Sequence, residues 1–183
     1  ELKVRQALYY ATDINAAVQN VFGENAIRAY GQVGPGLLGY DPGLSDLWAY
    51  NPDKSLELLA EAGFTPGADG ILQRDGEKLT VDIKTMNEPA RIKMVTIMVT
   101  QLRKLGIDAK ISSQEVGTWI SDLENGNTGL FMDFAYSGST GLHAMFHSVN
   151  SGVSNAHFYE NPEIDVMLDE GSTTVDPEAR EAI

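Results

Sequence analysis

Between Leu79 and Ile111 the sequence carries a pattern that few architectures accommodate: strand alternation, a long amphipathic helix, and strand alternation again. Leu79, Val81 and Ile83 alternate with Thr80 and Asp82, the period of a half-buried strand. Pro89 suits a first helical turn, and Ile92, Val95, Val99 and Leu102 then recur at helical spacing until Gly106 stops the run. Ile107, Ala109 and Ile111 alternate once more. Two strands joined through such a helix pair in parallel with a right-handed crossover. The expectation is an α/β domain, a mixed sheet with flanking helices.

Helix and turn signals continue on both sides. Val4 to Leu8 reads as helix, and Asp13 as the N-cap of a helix over residues 14–22 that buries Ile14, Ala17, Val18 and Val21 and closes at Gly23. Residues 23–50 hold six glycines, two prolines and three tyrosines, a long irregular stretch that serves either as a functional loop or as a packed cover. Asn51-Pro52 opens a helix with Leu56, Leu59 and Ala60 as its apolar face and Gly63 at its end, so that Phe64 packs back. Asp75-Gly76, between residues 71–74 and 79–83, predicts a hairpin. Residues 116–123 read as a short helix closed by Asn125-Gly126, with Trp119 in the core. Residues 130–135 read as a central strand buried on both faces, and 137–141 as a small polar loop. Asn161-Pro162 opens a helix with Ile164, Met167 and Leu168 inward and Gly171 at its end. Asp176-Pro177 starts another that stops at Ile183; with Glu1 at the other end, this reads as a piece of a longer protein.

Composition narrows the function. Thirteen Lys and Arg stand against 26 Asp and Glu, a net charge of −13, which argues against nucleic acid and anionic lipid as partners. With no cysteine there is no disulfide, thiolate metal site or cysteine nucleophile. No apolar run approaches the ~20 residues that span a bilayer. His143 and His147 stand at i and i+4, but Ala144 occupies the place where a zinc protease needs its glutamate. The pair forms either a metal clip, with His157 as third ligand, or two polar residues beside a loop; no metal set or cofactor is assigned. Gly138-Ser139-Thr140-Gly141 lacks the spacing of a nucleophile elbow, and neither phosphate-loop nor dinucleotide glycines are present. No catalytic set emerges, and the chain reads as a non-enzyme.

Several segments, in order, resemble the bacterial extracellular solute-binding proteins of the oligopeptide and dipeptide type, the capture subunits of ABC importers. They are Val4-Arg5-Gln6-Ala7-Leu8 through Asp13, Asn51-Pro52 through Leu58-Leu59-Ala60-Glu61-Ala62-Gly63-Phe64, Gly67 to Leu72 with Asp75 to Leu79, Gln101-Leu102-Arg103-Lys104-Leu105-Gly106-Ile107, and Tyr159 to Asp165. The resemblance implies that residues 1–183 are a single C-terminal lobe of a type II periplasmic-binding-protein-like fold, without the N-terminal lobe. It implies a peptide or other small-molecule ligand held between two lobes, a membrane permease as partner, and an extracytoplasmic location in the periplasm or on the cell surface as a lipoprotein. A ligand sensor or chaperone-like module, or a metal-dependent enzyme through the histidine pair, are the alternatives.

By the same resemblance, ligand contacts come from three strand-to-helix segments. These are Met86 to Arg91, with Asn87 and Arg91 foremost; Glu115-Val116; and the loop with Phe134, Tyr136, Ser137, Ser139 and Thr140. Peptide binders of this type often place tryptophan and aspartate in that third loop, the aspartate pairing with the ligand's ammonium group. Here the loop is neutral and rich in hydroxyls. An unpaired buried ammonium is costly, so the loop suits a neutral polar ligand such as an oligosaccharide, or a peptide held through its backbone.

Overall fold

The strand–helix–strand unit expected from the sequence forms in the computed structural model, which describes residues 1–127, 129–132 and 139–183. In chain order the elements are α1 (Leu2–Tyr10), α2 (Ile14–Phe22), α3 (Pro52–Glu61), β1 (Thr65–Pro66), β2 (Leu72–Arg74), β3 (Glu77–Lys78), β4 (Thr80–Met86), α4 (Pro89–Lys104), β5 (Asp108–Gln114), α5 (Val116–Glu124), β6 (Leu130–Met132), α6 (Ser139–Phe146), α7 (Pro162–Thr173) and α8 (Pro177–Ala182). Short 3-10 turns at Gly23–Asn25 and Pro42–Asp46 punctuate the glycine-rich stretch.

β4 pairs in parallel with β5 from Thr80↔Asp108 to Met86↔Gln114, and in parallel with β6 from Ile83↔Leu130 to Thr85↔Met132. The order is β5-β4-β6. β4 is thus the centre of the described sheet. β6, expected to be central, flanks it, and Leu130 is only half-buried. A second, antiparallel sheet, β1-β2-β3, holds the expected Asp75-Gly76 turn. Its return arm is β3 and not residues 79–83. Leu79 still donates its N–H to Leu72 O at 2.7 Å, after which the chain leaves the hairpin and becomes β4. Alternation at Leu79, Val81 and Ile83 marked a strand correctly but could not say which sheet it joins.

Contacts divide the described chain into two compact units. The first comprises Glu1–Arg28, Ser45–Val116 and Gly129–Met132; the second comprises residues 29–44, 117–127 and 139–183. The core of the first gathers Ala7 and Ala11 of α1, Leu58 and Leu59 of α3, Val81 and Ile83 of β4, Val95, Val99 and Leu102 of α4, and Ile107 and Ala109 around β5. α4 buries a second face, where Met94 meets Ala17 and Val18 of α2. α3 turns Ser55, Leu58 and Leu59 inward, leaving Leu56 and Ala60 exposed, contrary to the face read from the sequence. α1 packs on α3.

Three helices end alike. After α3, Phe64 donates its N–H to Leu59 O and Gly63 to Ala60 O; after α4, Ile107 donates to Leu102 O and Gly106 to Arg103 O; after α5, Asn127 donates to Asp122 O and Gly126 to Leu123 O. Each is the double bond of a Schellman cap, which satisfies the helix's last carbonyls and drops the next residue back on the helix. Phe64 and Ile107 are accordingly buried.

The second unit buries Trp119 and Leu123 of α5 and ties the 147–159 segment around Asn155. The Asn155 side-chain amide donates to Tyr159 O at 2.7 Å and its oxygen accepts the Tyr159 N–H at 3.2 Å. Two expectations change here. Ser139, Thr140 and Gly141 belong to the first turn of α6 and not to a loop. α7 runs through Gly171 to Thr173, and its inward-facing residues Ile164, Met167 and Leu168 are not buried but line an open apolar cleft with Leu142, Phe146 and Ile183. Asp176 caps α8 through the Ala179 N–H at 2.9 Å.

Gly106 sits at φ +79°, and a Cβ there would lie 2.6 Å from Gly70 O. Gly106→Ala should therefore lower the unfolding free energy by more than ~1 kcal/mol. Gly117→Ala, within α5 and facing open space, should raise it by up to ~1 kcal/mol. Urea denaturation of both variants beside the parent checks the contrast.

Candidate functional site

Parallel strands deliver their following loops to one edge of the sheet. In open α/β sheets that carboxyl edge, where the strand order reverses, is where ligands bind. Here the chain goes from β4 outward to β5 and returns past β4 to β6, so the order reverses between β4 and β6, at the C-terminal end of β4 with the end of β5 next to it.

Asn87 and Val116 stand at those two ends. Asn87 donates its backbone N–H to Gln114 O at 2.9 Å, extending the ladder one residue and leaving an exposed side-chain amide at the rim. Val116, 54% exposed, opens α5 immediately after β5. Arg91 lies in the first turn of α4. Its Nε donates to Glu88 Oε2 at 2.7 Å, and its side chain is only 14% exposed. The guanidinium is therefore neutralised locally and braced against its own helix start. One residue before the end of β4, the Thr85 hydroxyl is fully buried and has no hydrogen-bond partner among the described residues. Thr85 continues the alternation of Leu79, Val81 and Ile83, which is why its hydroxyl falls on the buried face.

The structure thus brings Asn87, Arg91 and Val116 to one sheet edge. Ser139 and Thr140 begin α6 in the second unit. Phe134, Tyr136 and Ser137 lie outside the described residues.

A separate constellation forms within the second unit. His143 in α6 and His147 one turn later keep their helical relation, with His147 N–H donating to His143 O at 3.1 Å and ring centroids 4.6 Å apart. Their third neighbour is not His157, which stacks on Phe146 at 5.8 Å. It is Asp169 of α7, whose Oδ1 lies 3.3 Å from His143 Nε2 and 3.4 Å from His147 Nε2. On the other side of the His147 ring, Asp165 Oδ1 lies 3.7 Å from Nδ1, and Val149 donates its N–H to the same nitrogen at 3.0 Å. Asp165 accepts the Ser148 hydroxyl and, at 2.9 Å, the Ser148 N–H. Those two donors, helped by His147 and His143, hold its carboxyl below the usual carboxylate range against the opposing effect of burial. Sequence spacing exposed the histidine pair; Asp169, 26 residues from His143, is supplied only by the packing of α6 on α7.

Comparison with known proteins supplies the context for the sheet edge. The family model of the bacterial extracellular solute-binding proteins, family 5 (middle), matches residues 1–156. The oligopeptide-binding protein AppA of Bacillus subtilis (strain 168) is 29% identical over 182 residues, covering 95% of this chain and 33% of its own. The glutathione-binding protein GsiB of Escherichia coli (strain K12) is 30% identical over 189 residues, covering 96% and 34%. The solved structure of the Bacillus subtilis AppA in complex with a nonapeptide superposes with a TM-score of 0.85 at 27% identity, over 100% of this chain and 38% of that one. The chain has the periplasmic-binding-protein type of α/β architecture and spans about a third of the length of the curated relatives it matches. These relatives are named for binding and not for catalysis. Among the described residues no helix is long and apolar enough to cross a membrane.

The Asp165 arrangement yields a pH signature. Because its folded-state value is lowered, its contribution to stability is present at neutral pH and is lost as pH falls through that lowered value. The thermal unfolding gap between the parent and Asp165→Asn should be open at pH 7 and narrow only as pH falls below the ordinary aspartate range. Melting curves across that range check the direction.

Proposed function

The chain belongs to family 5 of the bacterial extracellular solute-binding proteins, and we propose that it is the ligand-binding C-terminal lobe of the capture subunit of an ABC importer. The observation that carries this reading is the family match over residues 1–156, which spans the whole β4-α4-β5-α5-β6 unit and its carboxyl edge. On this reading residues 1–183 act as one lobe, the ligand is enclosed against a second lobe, and the loaded protein docks on a membrane permease outside the cytoplasm, in the periplasm or at the cell surface. The lobe performs no chemistry on its cargo and uses no cofactor.

The ligand we propose is a peptide held mainly through its backbone. The names of AppA and GsiB, an oligopeptide binder and a glutathione binder, support a peptide-like cargo. Arg91, cancelled by Glu88, offers little net charge to a ligand carboxylate. The Asn87 amide can both donate to and accept from a peptide unit. In the third segment Phe134 and Tyr136 contribute aromatic surface, and Ser137, Ser139 and Thr140 contribute hydroxyls. Val116, exposed where α5 begins, contributes an apolar contact.

Native mass spectrometry of the protein purified without added ligand tests the class of cargo. A ladder of peptide masses supports the reading, whereas hexose-spaced masses overturn it in favour of an oligosaccharide. Removing an aromatic anchor from a buried contact costs a tenfold or larger loss of affinity. Tyr136→Ala should therefore weaken binding of the co-purifying ligand by at least about tenfold, with thermal stability retained. Asn87→Ala should weaken it by less. Unchanged affinity in Tyr136→Ala removes that residue from the site.

A further inference from the structure

We propose that His143, His147 and Asp169 form a binding site for one divalent transition-metal ion of the zinc class, which ties α6 to α7. The site lies wholly within the second unit and does not rest on the capture reading.

Geometry is the first argument. A zinc-class ion holds imidazole nitrogen and carboxylate oxygen at about 2.0–2.2 Å, so donors around a tetrahedral ion stand about 3.3–3.5 Å apart. Asp169 Oδ1 lies 3.3 Å from His143 Nε2 and 3.4 Å from His147 Nε2, and all three donor atoms fall within 4.8 Å of one another. Two histidines one helical turn apart present both rings on one side of the helix, and the carboxylate arrives from the facing helix. Two imidazoles and a carboxylate match zinc, cobalt, nickel or copper better than magnesium or calcium, which prefer all-oxygen shells.

The surroundings are the second argument. Metal-bound histidines usually donate the other ring N–H to a carboxylate or carbonyl. Asp165 Oδ1 stands 3.7 Å from His147 Nδ1 and is itself fixed by the Ser148 N–H and hydroxyl. For Nε2 to coordinate, Nδ1 must carry the proton and point it at Asp165. The Val149 N–H, which donates to Nδ1 in this structure, must then give up that bond. Losing one such hydrogen bond costs far less than coordination of a divalent ion supplies. His147 is 12% exposed, His143 31% and Asp169 67%, so the cluster opens to solvent on the Asp169 side. Three protein donors leave a coordination position there for water.

Metal-free protein is titrated with Zn²⁺ by calorimetry at neutral pH and with Co²⁺ by visible absorption. The expected result is one ion per chain, an intense Co²⁺ band of tetrahedral type, and a shifted Val149 amide signal in ¹H–¹⁵N spectra. Outer-sphere changes weaken metal sites by 10- to 100-fold, so His143→Ala, His147→Ala and Asp169→Asn should each weaken Zn²⁺ by at least about a hundredfold. His157→Ala should leave binding intact. Circular dichroism of each variant confirms that it is folded, and Zn²⁺ should raise the melting temperature of the parent but not of Asp169→Asn. The proposal is overturned if the parent binds no ion at micromolar Zn²⁺, if binding survives in folded Asp169→Asn or His143→Ala, or if His157→Ala abolishes it.

Discussion

The burial of α4 across β4 and β5 is the interaction on which the first unit depends. Val95, Val99 and Leu102 are at most 2% exposed, and they meet Ile83 and Ala109, which are equally dry. Full burial of an aliphatic side chain contributes roughly 1.5–3 kcal/mol, so these few residues outweigh the surface ion pairs of the chain, which contribute at most about 1 kcal/mol each. The consequence for function is directional. Once α4 lies on the sheet as a right-handed crossover, β4 and β5 must run parallel, and the segments at Asn87 and Val116 must emerge at the same edge. The candidate binding edge therefore follows from a packing constraint and needs no separate device to assemble it.

Local signals were read well where one residue decides the outcome. Asp13, Asn51, Asn161 and Asp176 cap helices through their side chains, because an Asx side chain before a helix has one favourable use. Gly63, Gly106 and Gly126 end three helices in left-handed backbone. Readings failed where the deciding partner is distant. The face of α3 turned to Ser55 and Leu58 because α1 covers that side, and nothing within residues 52–61 announces α1. Leu79 reads as the return arm of a hairpin because the turn residues are adjacent, yet the parallel ladder with β5 offers seven paired positions against two. Gly171 does not end α7, which continues to Thr173 with the Thr174 N–H donating to Glu170 O.

The two candidate sites differ in legibility for the same reason. Asn87, Arg91 and Val116 follow strands whose pattern is strong, so their placement at a sheet edge was accessible from alternation and a crossover rule. A ligand role for them is proposed only through resemblance, since no local spacing marks a peptide contact. The histidine pair was visible at i and i+4, while its missing member lies on another helix. A carboxylate on the polar side of an amphipathic helix looks the same whether it faces solvent or two imidazoles.

The two sites also treat charge in opposite ways, and this separates their roles more sharply than location does. A net charge of −13 spread over the surface acts weakly beyond a screening length of about 8–10 Å, so each site is governed by its own neighbours. At the sheet edge Glu88 pairs with Arg91, Glu115 stands exposed just before α5, and Asn87 and Val116 add an amide and an apolar side chain. Around His143 and His147 the local sum runs the other way. Asp165 and Asp169 contribute two negative charges with no lysine or arginine ion-paired to either among the described residues. Both carboxylates lie against the His147 ring, and the two rings stand 4.6 Å apart. A single divalent ion at the proposed site matches the charge of these two carboxylates, and its coordination requires neutral imidazoles.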